Sequence, residues 1–598
     1  MKRVHRMPFG AEIDEQGHAR FSLWAPTAKD VVLETQVNDT ATRTPMRARA
    51  NGWYETIMPA VGAGVRYRYR IDDELDVPDP ASRFNPEGVH GWSLLVDPTR
   101  FDWQDEAWRG HDWHELVIYE LHVGTFTQEG TYAALIERLP DLARLGITAL
   151  ELLPLASFAG ARGWGYDGVL QFAPHPAYGS PDDLKRLIQC AHEHEISVLL
   201  DVVYNHFGPD GNYLGRYAGD FFTSKHHTPW GDAIDFSNHT VRQFFIQNAL
   251  YWIDEYRFDG LRLDAVHAIY DDGPRHFIDE LIDAVQDGPG RERRLHIVLE
   301  NHSNEACRLR RPRVLQWNDD FHHAAHVLIT GEHESYYADF AERPIEQLGR
   351  SLAEGFVFQG ERSAVSGKTR GESSKHLTPL AFVNFLQNHD QTGNRACGER
   401  LAQLAEPASL EAALAILILA PQVPMLFMGE EYAAPQPFLY FCDYTGELAE
   451  AVREGRRAEF AAFASFSSEA VRERIPDPND ASTFIRSTLI WTQRDEPEHK
   501  RWLDLTTRLL GIRRRTIMPI IPDLELGRAR YEIVGNVLRV TWPTTASEAL
   551  SMIANLSNDR APPPAIEKGS LVFSTEDEPS ADALHPWEVR VFAAETSA

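Results

Sequence analysis

The sequence predicts an α/β protein: a (β/α)8 TIM barrel as catalytic domain, with an N-terminal β-sandwich and a small C-terminal β domain. Three observations carry that expectation. The chain has 598 residues, enough for two to four domains. Eight short β-branched runs alternate with amphipathic helical stretches across the middle of the chain, the signature of a parallel barrel. The two ends instead alternate apolar and polar residues with period two.

In order, residues 1–98 are expected to form the sandwich, of immunoglobulin-like type. "FSLWAPTAKDVVLE" and "VRYRYRID" alternate, and "NGW" and "GAG" supply turns. The barrel is expected over 99–519. Its strands are "LVIYELHV", "ITALELLPL", "ISVLLDVVYNH", "GLRLDAV", "LHIVLEN", "RVLQW", "LAFVNFLQNHD" and "VPMLFMGEE". Between the second and third lies "SPDDLKRLIQCAHEHE", a helix with Ser180 as N-cap before Pro181; its closing "HEHE" at 192–195 reads as a solvated face. The long Gly- and aromatic-rich segment after the third strand suits a loop module lining a site, and Trp230 and the aromatics of "YLGRYAGDFF" are candidates to stack on ligand. Residues 520–598 turn β again, with "YEIVGNVLRVTW", "SMIANLS" and "WEVRVFAA".

Composition narrows the function. Lys plus Arg is 59 and Asp plus Glu is 88, a net charge of −29 that opposes nucleic acid and anionic membranes. The four cysteines are scattered with no CxxC pair, which argues against a disulfide framework or zinc finger. The opening "MKRVHRMPFGAE" has no apolar run behind it, and "ALAILILAPQVPMLF" is broken by prolines, so a cytoplasmic enzyme is expected.

Within "FDGLRLDAVHAI", Arg262 and Asp264 stand two apart on an apolar strand and so share one face. In a barrel that face is the interior near the C-terminal rim, where barrel enzymes place their chemistry. A neighbouring arginine lowers a carboxylate's pKa, so Asp264 is expected to be ionised and nucleophilic. Three other strands end alike: Asp201, Asn205 and His206 in "LLDVVYNH", Glu300 in "IVLEN", and His389 and Asp390 in "FLQNHD". A single buried ion pair could serve only to fix the barrel. Four such strand ends are not a packing pattern, because buried carboxylates are costly. Asp264 as nucleophile and Glu300 as proton donor fit glycoside hydrolysis, which with retention needs two carboxyls about 5–5.5 Å apart.

"DVVYNH", "GLRLDAVH", "VLEN" and "FLQNHD" resemble, in order, the four signature segments of the α-amylase superfamily. The resemblance implies that Asp264 is the nucleophile, Glu300 the general acid/base and Asp390 a third catalytic carboxylate that grips sugar hydroxyls. It implies substrate-binding roles for Tyr166 of "RGWGYDG" (the platform under the sugar), Asp201, Asn205, His206, Arg262, His267 and His389. Further segments, among them "VPDPASRFNPEGVHG", "APHPAYGSPDDLKRLI", "QWNDDFHHAAH" and "FMGEEYAAPQPFLYFCD", are similar to the maltooligosyltrehalose trehalohydrolase family over nearly the whole chain.

That likeness implies a carbohydrate-binding-module-like N-terminal domain and hydrolysis of the α-1,4 bond between a maltooligosyl chain and terminal trehalose. Trehalose would be released, and the substrate would come from a maltooligosyltrehalose synthase. Where many amylases carry a Lys-His pair after the nucleophile, this chain has His267 and Ala268, which suggests a different leaving group. The alternatives are a 1,4-α-glucan branching enzyme or a general α-1,4-glucanase; a non-catalytic glycan-binding protein would be expected to lack one of the three carboxylates.

No cofactor is expected. His322 and His326 have zinc-compatible i, i+4 spacing but lack the glutamate of HExxH, so no metal is assigned to them. Asp319, Asp320 or His322 could instead line the cleft. Glu430 and Glu431 are left between structural and rim roles, and "LAEAVREGRRAEFAAF" reads as a charged surface helix.

Overall fold

The structure is a computed structural model. It describes every residue except 39, 60, 229–230, 463–467, 546–549, 565–568 and 595–598. Trp230 therefore lies outside the described residues.

At the centre is a closed barrel of eight parallel strands. They are β1 (Ile118–Leu121), β2 (Ala149–Leu152), β3 (Ser197–Val202), β4 (Gly260–Leu263), β5 (His296–Leu299), β6 (Val314–Trp317), β7 (Phe382–Phe385) and β8 (Val423–Phe427). Each pairs with the next, and Ile118 of β1 closes the ring on Met425 of β8. Buried on both faces, these strands read as near-continuous apolar runs, so the polar residues inside them stand out.

Two antiparallel sheets precede the barrel. One is built on Ala19–Trp24 and Trp53–Met58, the other on Val31–Val37 and Arg66–Ile71. Phe21, Leu33, Tyr67 and Tyr69 fill the space within this domain. Both tyrosine hydroxyls donate to Asp79, at 2.8 and 3.3 Å. The domain is fastened to the barrel by Arg83, whose Nε lies 3.2 Å from Glu255 just past the helix His239–Asp254. Arg83 also donates to the carbonyls of Ala11 and His5. After the barrel, five antiparallel strands form the last sheet, seated through Trp542, whose indole donates to the Leu352 carbonyl at 3.1 Å.

Ser180 caps its helix as expected: its side chain accepts from the Asp183 amide, and Asp183 accepts from the Ser180 amide at 3.0 Å. The same helix brings a correction. His192 is not on a solvated face but 4% exposed. Its ring stacks on Trp108 and lies between Asp105 at 2.5 Å and Asp259 at 2.9 Å. The Trp108 indole and the Val198 amide also donate to Asp259, and Arg257 donates to Asp105. This cluster clamps the segment entering the barrel to the lower ends of β3 and β4.

After β3, the loop module holds a short hairpin, Phe222–Thr228 with Gly231–Ile234. Its aromatics Tyr217 and Phe221 are buried as core, so they are not free to stack on ligand. The charged helix Gly446–Glu459 forms, but Arg456 turns inward and donates to the carbonyls of Gly393 and Arg395, fixing the loop after β7.

Candidate active site

Arg262 is the hub of the upper barrel. It is 0% exposed, and its guanidinium serves carboxylates from three adjacent strands. One terminal nitrogen donates to Asp201 at 2.8–2.9 Å and to Asp264 at 2.7 Å; the other donates to Glu300 at 2.7 Å. The Trp317 ring lies 4.1 Å beneath it. A buried arginine would be costly alone; its partners' charges repay the desolvation. Asp264 and Glu300, far apart in sequence, thus sit on neighbouring nitrogens of one planar group.

The pull on the Asp264 carboxyl runs against the sequence expectation: burial pushes its pKa well up, and Glu300, Asp201 and Asp390 add to that against the opposing effect of Arg262. Burial also acts to raise Glu300, but Arg262 and the Ala265 amide outweigh it and hold Glu300 below the usual range. Ala265 lets this happen locally. Its left-handed backbone (φ 40°, ψ 52°) turns the chain out of β4 so that its N–H meets Glu300 at 2.9 Å.

Above this lies an aromatic wall. The Tyr166 ring is stacked at 4.9 Å and 20° on His389, and its hydroxyl donates to Asp201 at 2.6 Å. The backbone N–H of His389 donates to Glu120 of β1 at 2.9 Å, and its Nδ1 lies 2.6 Å from the same carboxylate. Burial opposes the imidazolium, but Glu120 and Asp390 prevail and raise its pKa to about 9. Asp390 stands 3.6 Å from the other ring nitrogen and accepts from Asn394 at 3.1 Å. His206 is buried, pairs with Asn205 at 3.0 Å and is pushed by burial down to about 4, so its ring is neutral.

All ten residues singled out for the site come from the upper barrel rim or the loops over it. Tyr166, His206, His389, Asp264, Glu300 and Asp390 sit close together there. Asp201, Asn205 and Arg262 lie below them with their polar atoms turned to one another and to these residues. His267 is exposed, its ring accepting from the His302 amide at 3.3 Å.

Sequence reasoning passes over Glu120 and Glu151, register partners on β1 and β2 that are each 1% exposed. Neither Glu151 oxygen has a hydrogen-bond partner, and burial followed by Glu120 pushes its pKa well up. The signal that finds Arg262 and Asp264 would find these too: a carboxylate inside a buried apolar strand.

Among the other candidates, Asp320 is consumed by structure, accepting from the amides of Val357 and Phe358 and from Asn304. His322 contacts the Leu386 carbonyl and Tyr337, and His326 contacts Glu332. Glu430 accepts from the Phe427 amide and Glu431 from Tyr119, so both are structural. Among the described residues, no group of three or more His, Cys, Asp or Glu could hold a metal ion.

Three family profiles match the chain. Carbohydrate-binding module 48 (isoamylase N-terminal domain) covers residues 8–99, the alpha amylase catalytic domain 95–226, and a domain of unknown function 526–591. A malto-oligosyltrehalose trehalohydrolase of Deinococcus radiodurans is 42% identical over 90% of this chain and 88% of its own. A crystal structure from Salmonella typhimurium, described as a candidate alpha amylase, superposes with a TM-score of 0.93 at 41% identity, covering 98% of this chain and 99% of that one. A 1,4-alpha-glucan branching enzyme of Pseudoalteromonas atlantica matches far less, 32% identical over 55% of this chain and 47% of its own. With that identity sustained over most of both chains, and with the barrel and its carboxylate-bearing strand ends in place, the protein belongs to the malto-oligosyltrehalose trehalohydrolase family.

Proposed function

We propose that the chain is a retaining glycoside hydrolase that cleaves the α-1,4-glucosidic bond between a maltooligosyl chain and a terminal trehalose, releasing trehalose. The observation that carries this reading is the single guanidinium of Arg262 holding Asp264 and Glu300 on neighbouring nitrogens, with Asp390, His389 and Tyr166 beside them. Two neighbouring carboxyls that can flank one scissile bond are what double displacement requires.

In this mechanism Glu300, in its protonated form, gives its proton to the glycosidic oxygen as trehalose departs, and Asp264, in its ionised form, attacks the anomeric carbon. Glu300 then deprotonates water, which displaces Asp264 and frees the maltooligosaccharide with retained configuration. Asp390 accepts hydrogen bonds from sugar hydroxyls, the charged His389 donates to one, and Tyr166 is the apolar platform. Arg262, Asp201 and Asn205 act through these groups as positioning residues.

We assign the domains to 1–98, 99–519 and 520–598. A synthase that caps maltooligosaccharides with trehalose is the class of enzyme that would supply the substrate. The four free cysteines suit a reducing compartment, consistent with cytoplasmic work.

Product analysis on maltotriosyltrehalose and maltopentaose tests the reading. Trehalose plus maltotriose from the first, with little cleavage of the second, is expected. Equal cleavage of both would reduce the enzyme to a general α-1,4-glucanase, and new α-1,6 branch points in longer glucans would make it a branching transferase.

A further inference from the structure

Around Glu300 one carboxylate stands apart from the rest. Asp319 is the first residue of the helix Asp319–Thr330, two positions beyond the end of β6. In the ring of strands β6 lies between β5, which leads to Glu300, and β7, which leads to Asp390. That strand order puts Asp319 on the rim between the strand ends that lead to Glu300 and Asp390.

Its neighbour Asp320 takes three hydrogen bonds on one oxygen, and through the ion pair of the other with Arg370 at 2.9 Å it braces this wall of the cleft. Arg370 in turn donates to the His302 carbonyl at 2.9 Å. The Asp319 side chain is half-buried and, among the described residues, makes no hydrogen bond or ion pair. Such a carboxylate, partly withdrawn from water and without a protein partner, contributes nothing to this wall's own bonding; burial and then Glu300 raise its pKa to about 7.

We propose that Asp319 is a specificity-determining residue for the leaving group: its carboxyl receives hydroxyls of the departing trehalose unit on the Glu300 side of the scissile bond. The assignment rests on the trehalose-releasing reading above and deepens it. A proton donor must face the glycosidic oxygen, so the sugar beyond that oxygen comes to lie against the rim beside Glu300. An acceptor there pairs with a vicinal diol. A disaccharide joined through both anomeric carbons offers hydroxyls in a different direction from a plain 1,4-linked chain, and a half-buried acceptor left unpaired by the wrong sugar penalises it.

The test compares wild type and Asp319→Asn on maltotriosyltrehalose and maltopentaose, with trehalose and maltose as product inhibitors and with pH profiles for both substrates. In wild type, a preference for the first substrate is expected; its absence would remove the trehalose-releasing reading itself. In the variant, the preference should shrink about tenfold and the inhibition constant for trehalose should rise by a similar factor, with maltose little changed. If the variant keeps both the preference and the trehalose affinity, the assignment is wrong. It is equally wrong if both substrates slow by the same factor with a shifted pH profile, because Asp319 would then act only by tuning Glu300. Asp319→Glu, which keeps the charge, should restore part of the preference, and circular dichroism of each variant checks that it is folded.

Discussion

Tyr166 touches two layers of the site at once: its ring lies 4.9 Å from that of His389, and its hydroxyl reaches down to Asp201 at 2.6 Å. The hydroxyl and the ring can therefore be separated by mutation. Tyr166→Phe keeps the platform but leaves a buried carboxylate short of one donor, at a cost of about 1–3 kcal/mol. A fall in kcat/KM of roughly tenfold is expected, and Tyr166→Ala should fall much further. Steady-state kinetics on the trehalose-capped substrate measure both.

His389 carries its charge through neutral pH because Glu120 and Asp390 outweigh burial and raise its pKa to about 9. A raised folded-state pKa stabilises the protein in full below the unfolded value of about 6.5, and that stabilisation is lost as pH rises through about 9. Activity should fall along the same alkaline limb. Glu120→Gln should move that limb to lower pH; an unmoved limb would show that the imidazolium is not required.

Glu300→Gln keeps shape and two acceptor contacts but cannot give a proton to the leaving oxygen or take one from water. Turnover should drop by about 10²–10⁴ while the melting temperature stays close to wild type. Near-full activity would end its assignment as acid/base.

Arg262→Met removes the cation shared by Asp201, Asp264 and Glu300. Breaking a buried pair in this way costs about 3–5 kcal/mol, to be read from urea unfolding. Arg262→Lys should recover little, since an ammonium cannot span Asp264 and Glu300 from fixed planar nitrogens.

The Asp105–His192–Asp259 cluster predicts a stability effect without a catalytic one. Burial opposes the charge on His192, but Asp259 and Asp105 outweigh it and raise the pKa, so this stabilisation fades as pH climbs through the folded value. Asp259 runs the other way. Burial would raise it, but His192 and Arg293 hold it down at about 2, so its share is present above pH 4 or so and is lost as pH falls toward about 2. His192→Phe should lower the unfolding midpoint at neutral pH and flatten this dependence, leaving kcat unchanged.

The barrel and the strand-end residues were legible because polar residues in doubly buried strands have few reasons to exist. Period two then told which of them share a face, as with Arg262 and Asp264. Charge was not legible, because it depends on how many carboxylates share one arginine, and Asp201 and Glu300 reach Arg262 only after the ring closes. His192 was misread for the same reason: its sequence neighbours are charged, while its partners Asp105 and Asp259 are 87 and 67 residues away. Glu120 and Glu151 were there to be found by the rule applied to β4.

The bond between Arg83 and Glu255 has a consequence for the history and handling of this protein. Glu255 is 1% exposed and belongs to the barrel, while its arginine belongs to the preceding sheets. Truncation at the domain border would strip Glu255 of Arg83 and leave it only the buried Lys185, 4.0 Å away, as a cationic partner among those described. The N-terminal module is therefore not an interchangeable cassette. It can be exchanged between relatives only if arginine and glutamate travel together, and a barrel expressed alone inherits an interface rather than a surface.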